Sequence, residues 1–437
     1  MPPTRARVCL RSSLALLAAG ACGQGDRTPA RDSPSAAGNR TDVAPGIMVQ
    51  PGFKATVLAD DIGSARHTVV APNGDVYINT WRSPYDTTRR APSGGYIVAL
   101  RDTNRDGRSD VIQRFGSTPE SGSRGGTGIA LRDNALYAEA DSSIVRYKLT
   151  AGELAPGGKP DTIVRGLQTE GGHPMHPIAV DAKGNLFVNI GSNTNACQEK
   201  DREPKSKGID PCSELATRAG IWRFSASRPG QRFIPGARYA TGIRNSNPTI
   251  HPKDGSLYAT QHGRDQLAQN WPKLYDWKQS ANLPSEELLK VDQGADFGWP
   301  YCYYDPEQKR LVLAPEYGGD GRRVGRCADK RGPVAVFPAH WAPNSVVFAG
   351  DSGVFIAFHG SWNRSPEPQG GYKVVFQPLV NGKPAGDFRV FADGFAGKQM
   401  EPGTAEHRPA GVAMTPDGGL IITDDQRGRV WLVAPEK

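Results

Sequence analysis

The sequence predicts an all-β protein, a six-bladed β-propeller with long inserted loops. Three observations carry this. One unit, an apolar stretch, a tight turn and a second apolar stretch, occurs six times. The copies are VVAPNGDVYINTW (69–81), GIALRDNALYAEA (128–140), IAVDAKGNLFVNIGS (178–192), PTIHPKDGSLYATQHG (248–263), VVFAGDSGVFIAFHGS (346–361) and GVAMTPDGGLIITDD (411–425). A further apolar stretch follows several copies, as a blade needs more than a hairpin. Glycine (52) and proline (36) are spread through 437 residues, which disfavours long helices and favours short strands joined by turns.

Each element has its own reason. PNG, KDG and PDG supply Gly or Asn where a hairpin turn needs positive φ. The flanking runs alternate or are β-branched, as strands require. The added strands are GGYIVAL (94–100), SIVRYKL (143–149), AGIWRF (219–224), GYKVVFQPL (371–379) and GRVWLV (428–433). FKATVLA (53–59) precedes the first copy and is expected as the outer strand of the last blade, which would close the ring and leave no open edge. The longest excursion is 264–345. SEELLKV (285–291) reads there as a short strand despite its helix-forming residues, and the remainder as a long loop of the kind that carries function. A β-sandwich, or two β domains, is the competing architecture.

Residues 1–22 read as an export signal. Arg5, Arg7 and Arg11 precede a short apolar run, Leu14 to Ala21, and small residues precede Cys22. That ending resembles a bacterial lipobox, in which Cys22 would be lipidated; cleavage as an ordinary signal peptide is the alternative. Residues 23–46 have almost no large apolar groups and are expected as a flexible tether. The propeller then occupies 47–437. The leader carries three Arg and no acid, so the +8 of the whole chain falls to +5 without it. No run of five basic residues exists, and nucleic acid is not an expected partner. No 18-residue apolar run exists, so any membrane association would be through the lipid anchor alone. Export makes disulfides possible. Of the three pairings open to Cys197, Cys212, Cys302 and Cys327, the expected ones are Cys197–Cys212 and Cys302–Cys327, each closing one polar excursion. Zinc is the alternative, but no CxxC spacing is present.

Loops at one end of a propeller converge over its axis, so chemistry is sought at equivalent blade ends. His173, in GGHPMHPIAV before the third copy, is a candidate base, in competition with His176. Arg244 and Asn245 precede the fourth copy, where Arg can grip a carboxylate. QHGRD (261–265) ends that copy, and its Gly offers carbonyls to a hard cation. DFGWPYCYYD (296–305) reads as a packed Trp/Pro corner. HGSWNR (359–364) and HRPAGVA (407–413) place Arg364 and Arg408 at two more blade ends. With Arg244 they would suit a polyanionic ligand. Separately, Asp102, Asn104, Asp106 and Asp110 fall at positions 1, 3, 5 and 9 of a calcium loop, with Gly107 at 6 but Gln113 at 12. A plain acidic turn is the other reading. GxSxG, HExxH and Walker A motifs are absent.

In this order, these sites resemble the glucose/sorbosone dehydrogenase family, soluble quinoproteins that use pyrroloquinoline quinone (PQQ) and calcium. The resemblance covers roughly 50–433. GSWNR and HPMHPIAV look closest to its sorbosone-dehydrogenase-like branch. It implies a six-bladed propeller with PQQ over one mouth of the axis. It implies His173, five residues before Ile178, as general base ahead of His176. It places Arg244 and Asn245 near substrate and quinone, calcium on the carbonyls of Gly263 and Arg264, and Arg408 on the cofactor. Three positions depart from the family. Its Gln before the second blade is Gly126 here, its fifth-blade Lys is Asn363, and its second late Arg is Ala410. The cofactor reading then needs Arg364, beside Asn363, to stand in for a lost cation.

The expected activity is oxidation of an aldose or sugar aldehyde, with a respiratory acceptor removing the electrons. The competing functions are a calcium-dependent sugar lactonase, which would need carboxylates on the axis, and a carbohydrate-binding propeller that has lost its cofactor.

Overall fold

The computed structural model describes residues 46–81, 95–116 and 123–436. The leader with Cys22 and nearly all of the tether lie outside them. The described chain forms six four-stranded antiparallel blades. The first blade is Ala65–Val70, Val76–Thr80, Ile97–Arg101 and Val111–Phe115. The second is Ile129–Arg132, Ala135–Ala140, Ser143–Lys148 and Asp161–Arg165. The third is Ile178–Val180, Asn185–Ile190, Gly220–Ser225 and Arg238–Thr241. The fourth is Ser246–Ile250, Leu257–Gln261, Glu286–Lys290 and Ala335–Phe337. The fifth is Pro343–Phe348, Gly353–Phe358, Lys373–Val380 and Arg389–Asp393. The sixth is Pro409–Met414, Leu420–Asp424 and Val430–Pro435, completed by Phe53–Ala59. That last pairing, with Thr56 opposite Leu432, closes the ring as expected. Met48–Val49 extends the fifth blade.

The core sits between blades rather than within them. Successive side chains of a strand point to opposite faces, and both faces of each blade meet a neighbour. One apolar cluster fills each of the six junctions. Tyr77 and Leu136 join the first and second blades. Val164 and Trp222 join the second and third, and Phe187 and Leu257 the third and fourth. Tyr258 and Phe358 join the fourth and fifth, and Phe391 and Trp431 the fifth and sixth. Ile421 and Ile78 join the sixth back to the first. Each such side chain contributes roughly 1.5–3 kcal/mol on burial, so the ring is held by its closure.

The hairpin turns all lie at one end of the axis. At Gly74, with φ of 94°, the turn closes through Gly74 N–H donating to the Ala71 carbonyl at 2.9 Å. The opposite end, where chain enters the innermost strands and leaves the second strands, carries the long loops. The 264–345 excursion holds more than the expected loop. Besides the strand Glu286–Lys290 it contains the outer strand Ala335–Phe337, a hairpin of Cys302–Asp305 with Arg310–Leu313, and two short helices, Leu267–Asn270 and Trp277–Asn282. Both expected disulfides form, Cys197–Cys212 and Cys302–Cys327. The two bridged loops brace each other: Tyr317 OH donates to the carbonyls of Ala196 and Cys197 at 3.2 Å, and Cys212 N–H to Tyr301 Oη at 2.8 Å. Among the described residues no helix is long and apolar enough to cross a membrane.

Candidate active site

The loop end of the axis collects His173, Arg244, Asn245, His262, Gly263, Asn363 and Arg408, because each lies just before an innermost strand or just after a second strand. His173 is half-buried. Its Nδ1 lies 2.8 Å from the Ser192 carbonyl oxygen. A carbonyl only accepts, so Nδ1 carries the proton and Nε2 presents its lone pair. Among the described residues Nε2 makes no hydrogen bond. The His173 side chain packs against Gly191, where a Cβ would lie 2.5 Å from the His173 Cβ. Burial, then the Arg244 charge, pushes His173 well below its usual range. It is therefore a neutral base over ordinary pH. His176 is different. Its Nδ1 lies 2.9 Å from Glu139 Oε1 and the residue is fully buried. Burial works against the Glu139 charge, but hydrogen bonds from His176, Gly128 and Thr127 outweigh it and hold the carboxyl below its usual range.

Arg244 is buried and fully engaged. It donates to the Asn195 carbonyl (3.2 Å) and Oδ1 (3.0 Å), to the Gly263 carbonyl (2.9 Å) and to Asp265 Oδ2 (3.1 Å). Asp265 also accepts from Arg202 at 3.1 Å and from Asn363 Nδ2 at 2.8 Å, and it faces His340 Nδ1 at 3.6 Å. Burial raises Asp265, but Arg244, His340 and Arg202 overcome this and hold it well below the carboxylate range. Asn245 accepts at Oδ1 from Asn189 at 3.4 Å.

Across the axis stands a second arginine that the sequence reading passed over. Arg66, buried in the innermost strand of the first blade, pairs with Asp425 and donates to Asn344 Oδ1 at 3.4 Å. Asp425 accepts from His359 Nε2 at 2.8 Å. Arg408 donates from Nε to the His359 carbonyl at 3.1 Å. Burial together with Arg408 lowers His359 to about 3. Burial together with Arg66 lowers His67 to about 4, and burial together with Arg244 does the same to His262. The mouth thus keeps His67, His173, His262 and His359 neutral beside fixed guanidinium charges, whereas at His340 burial is outweighed by Asp265 and the imidazole is raised.

Several expected positions are placed elsewhere. Arg364 is turned away from the mouth. Its guanidinium donates to the carbonyls of Ala281 (2.7 Å), Ala339 (2.8 Å) and Pro368 (3.0 Å), stapling the fifth-blade loop to the helix Trp277–Asn282. It does not stand in for the missing Lys; Arg66 is the third cation. Gly126 leaves no room for a side chain, because a Cβ there would lie 2.5 Å from Glu139 Cβ and Cγ. Ala410 is fully buried in the innermost strand of the sixth blade. Arg264 points its side chain into a buried pair with Glu316. The Asp102, Asn104, Asp106 and Asp110 loop lies on the rim of the first blade, between its third and outer strands, far in sequence from the mouth residues. Its side-chain oxygens accept from the loop's own N–H groups; Asp102, for example, takes Arg105 and Gly107 at 2.7 Å each.

A metal or cofactor must match the donors present. Among the described residues no group of three or more His, Cys, Asp or Glu is arranged to hold a metal ion. Gly263, whose carbonyl accepts from Arg244 at 2.9 Å, lines a cavity of about 20 Å³ together with Gln261 and Glu287. Glu286 and Glu287 are adjacent, buried on opposite faces of their strand, and pushed up by burial to about 7 and about 8. The sequence signal for both was the pair of acids within a predicted strand. Four buried polar groups at the mouth have atoms without a partner among the described residues: the Gln426 amide at both ends, Asn344 Nδ2, His176 Nε2 and Asn363 Oδ1. With Arg66, Arg244 and Arg408 they match a polar ligand bearing several carboxylates and ring heteroatoms. PQQ fits that description. Two larger clefts, about 790 and 640 Å³, lie away from this chemistry, on the outer part of the third blade and in the excursion.

The sequence profile of the TrAA12-like family matches residues 47–436. The chain belongs to the TrAA12-like family. It is 24% identical over 289 residues to a pyrroloquinoline quinone-dependent pyranose dehydrogenase of Coprinopsis cinerea, covering 57% of this chain and 38% of that protein. It is 26% identical over 285 residues to an uncharacterized protein of Borreliella burgdorferi, 61% of each. It thus spans less than two thirds of the length of either relative. Among solved structures, a calcium structure of a Trichoderma reesei family AA12 carbohydrate-active enzyme superposes with a TM-score of 0.70 at 17% identity, over 91% of this chain and 99% of that one. The holo PQQ domain of pyranose dehydrogenase from Coprinopsis cinerea gives 0.69 at 18%, over 89% and 96%. These superpositions establish the shared propeller, and the TrAA12-like family is related to PQQ-dependent sugar dehydrogenases. The narrower sorbosone branch is not what the profile matches.

Proposed function

We propose that this TrAA12-like chain is an exported sugar dehydrogenase that oxidises a pyranose or sugar aldehyde, with His173 as general base. The observation that carries the reading is His173 Nε2, a lone pair fixed at the mouth by the Nδ1–H···O=C bond to Ser192. Nε2 would take the proton from the anomeric or hydrated-aldehyde hydroxyl of the sugar. Arg244, immobile in its four hydrogen bonds, would stabilise the negative charge that develops on the sugar oxygen without having to move. Arg66, Arg408, Gln426 and Asn344 would hold PQQ, with Asn245 beside it, and the Gly263 and Arg264 carbonyls would bind calcium. Bound there, PQQ supplies the electron-accepting capacity, with calcium as its Lewis-acid partner. A sorbosone-like aldehyde is the narrower substrate that GSWNR and HPMHPIAV suggest. Lipidation at Cys22 would hold the enzyme at a cell envelope, where a respiratory acceptor is at hand.

The test is dye reduction by protein loaded with PQQ and calcium, over a panel of pyranoses and aldehydes. Turnover with at least one sugar is expected, and His173→Ala should lower kcat by about 10²–10⁴-fold while leaving the melting temperature in place. Unchanged turnover in the variant would remove His173 as the base. A cofactor-free binding propeller is the second reading. Asn363 and Ala410 standing where the family has cations favour it. Titration with PQQ separates the two readings, because a bound quinone absorbs in the near-UV and bleaches on adding sugar.

A further inference from the structure

The loop that closes the fifth blade holds an indole in water. Trp362 is 52% exposed, although an aromatic ring of that size normally contributes by burial. Its neighbours on both sides are pinned. Ser361 exchanges backbone and side-chain hydrogen bonds with Gly370 at 2.9 and 2.8 Å, its hydroxyl donates to Gln369 at 2.6 Å, and its carbonyl accepts from Tyr372 OH at 3.0 Å. Asn363 donates to Asp265 at 2.8 Å, and Arg364 staples the loop to Ala281 and Ala339. The backbone therefore cannot withdraw the ring, which is presented one residue away from the group that anchors Asp265 and, through it, Arg244. A ring carried on backbone fixed at both sides is a partly pre-organised contact: the ordering cost of the loop is met before a ligand arrives.

We infer that Trp362 is a stacking platform for a second pyranose ring, attached to the one being oxidised. This rests on the sugar-oxidising reading of the mouth and adds to it the substrate class: reducing disaccharides or oligosaccharides with equatorial linkages. Such rings expose a flat face of axial C–H bonds. That face matches the negative π-face of an indole and releases water from both surfaces. A monosaccharide has no second ring to place on Trp362, so the platform would discriminate by length.

Two readouts test this on the PQQ- and calcium-loaded protein. Calorimetric titration uses an equatorially linked disaccharide whose reducing end has been converted to the alditol, so that it cannot be oxidised. Trp362→Ala is expected to weaken its binding at least fivefold, Trp362→Phe less than twofold, and Trp277→Ala, at another exposed tryptophan (53%), not at all. In steady state, Trp362→Ala should raise KM for the oxidisable disaccharide while changing KM for the monosaccharide less than twofold and leaving kcat unaltered. Equal effects on both sugars, no effect of Trp362→Ala, or no binding of the alditol by the unaltered protein overturns the inference. If no sugar is oxidised but alditol binding still depends on Trp362, the dehydrogenase reading fails and the platform stands. If sugars are oxidised without dependence on Trp362, only the platform falls.

Discussion

The mouth has two halves, each built on a buried arginine paired with an aspartate, and they are finished differently. Around Arg244 and Asp265 the pair is bonded on every side, by Asn195, Gly263, Arg202 and Asn363, and of these groups Asn363 Oδ1 is left without a partner among the described residues. Around Arg66 and Asp425 the network is incomplete, since the Gln426 amide and Asn344 Nδ2 have no partner among the described residues. A closed network resists reorganisation and suits the half where charge develops on the sugar. An incomplete one holds desolvated groups ready for a ligand that restores their hydrogen bonds. On the proposed reading the third and fourth blades would supply the chemistry, and the fifth, sixth and first would receive the cofactor.

The largest effect that could break this division is on stability. Asp265→Ala would leave Arg244 buried without its carboxylate, at a cost of about 3–5 kcal/mol, seen as a large fall in melting temperature. Gln426→Leu, in the incomplete half, removes two unsatisfied polar atoms, so the cofactor-free protein should be as stable as before or more so. A large loss in both variants would show two equally closed networks. Next in size is cofactor affinity. Arg408→Ala should weaken PQQ binding at least tenfold, about 1.4 kcal/mol, measured by equilibrium titration.

Much of this frame was legible in the sequence, for a physical reason. The repeated turn and its alternating flanks are local signals, so six blades, the closing strand 53–59 and SEELLKV as a strand could all be read. The Cys197–Cys212 and Cys302–Cys327 bridges were legible because each spans one loop. The placement of charge was not. Arg66 lies inside the stretch ARHTVV, where nothing local marks it as a partner of Asp425, 359 residues away. Arg364 had the right blade and the wrong direction, because its direction is set by the carbonyls of Ala281, in a helix inserted in another blade, of Ala339 and of Pro368. Gly126 looked like a lost ligand; the structure shows its volume taken by Glu139 from the neighbouring strand.

Titration sharpens the comparison at a smaller scale. His67 and His262 near 4 and His359 near 3 have folded values below the unfolded 6.5. Their contribution to stability is present above 6.5 and is lost as pH falls through about 4. Glu286 near 7 and Glu287 near 8 run the other way. Their contribution is complete below 4.5 and is lost as pH rises through 7 to 8. The two sets oppose each other between 4.5 and 6.5. Above 6.5 the slope comes from the glutamates and from His340, where burial is outweighed by Asp265 and the imidazole is raised, so its contribution too is lost as pH rises. Melting temperature should therefore fall from pH 6.5 to 8.5, and Glu287→Gln should flatten that limb. An unchanged slope in the variant would mean that Glu287 is already ionised in the folded protein. The same signs place the acid limb of kcat/KM below 6.5, because His173 is held neutral by burial and by Arg244.

The smallest expected effect on the cofactor is the most discriminating. Arg364 and Arg408 are both cations at the ends of the two last blades, and sequence alone treats them alike. Arg364 spends its guanidinium on Ala281, Ala339 and Pro368, so Arg364→Ala strands buried carbonyls and should cost about 1–3 kcal/mol of stability. It should change PQQ affinity less than twofold, because no charge facing the ligand is lost. Arg408→Ala should show the reverse, a loss of affinity with a small change in melting temperature. If Arg364→Ala weakens PQQ as much as Arg408→Ala does, the guanidinium must leave its carbonyls when ligand binds. The fifth-blade loop would then be a moving part, and the fixed presentation of Trp362 would fail with it.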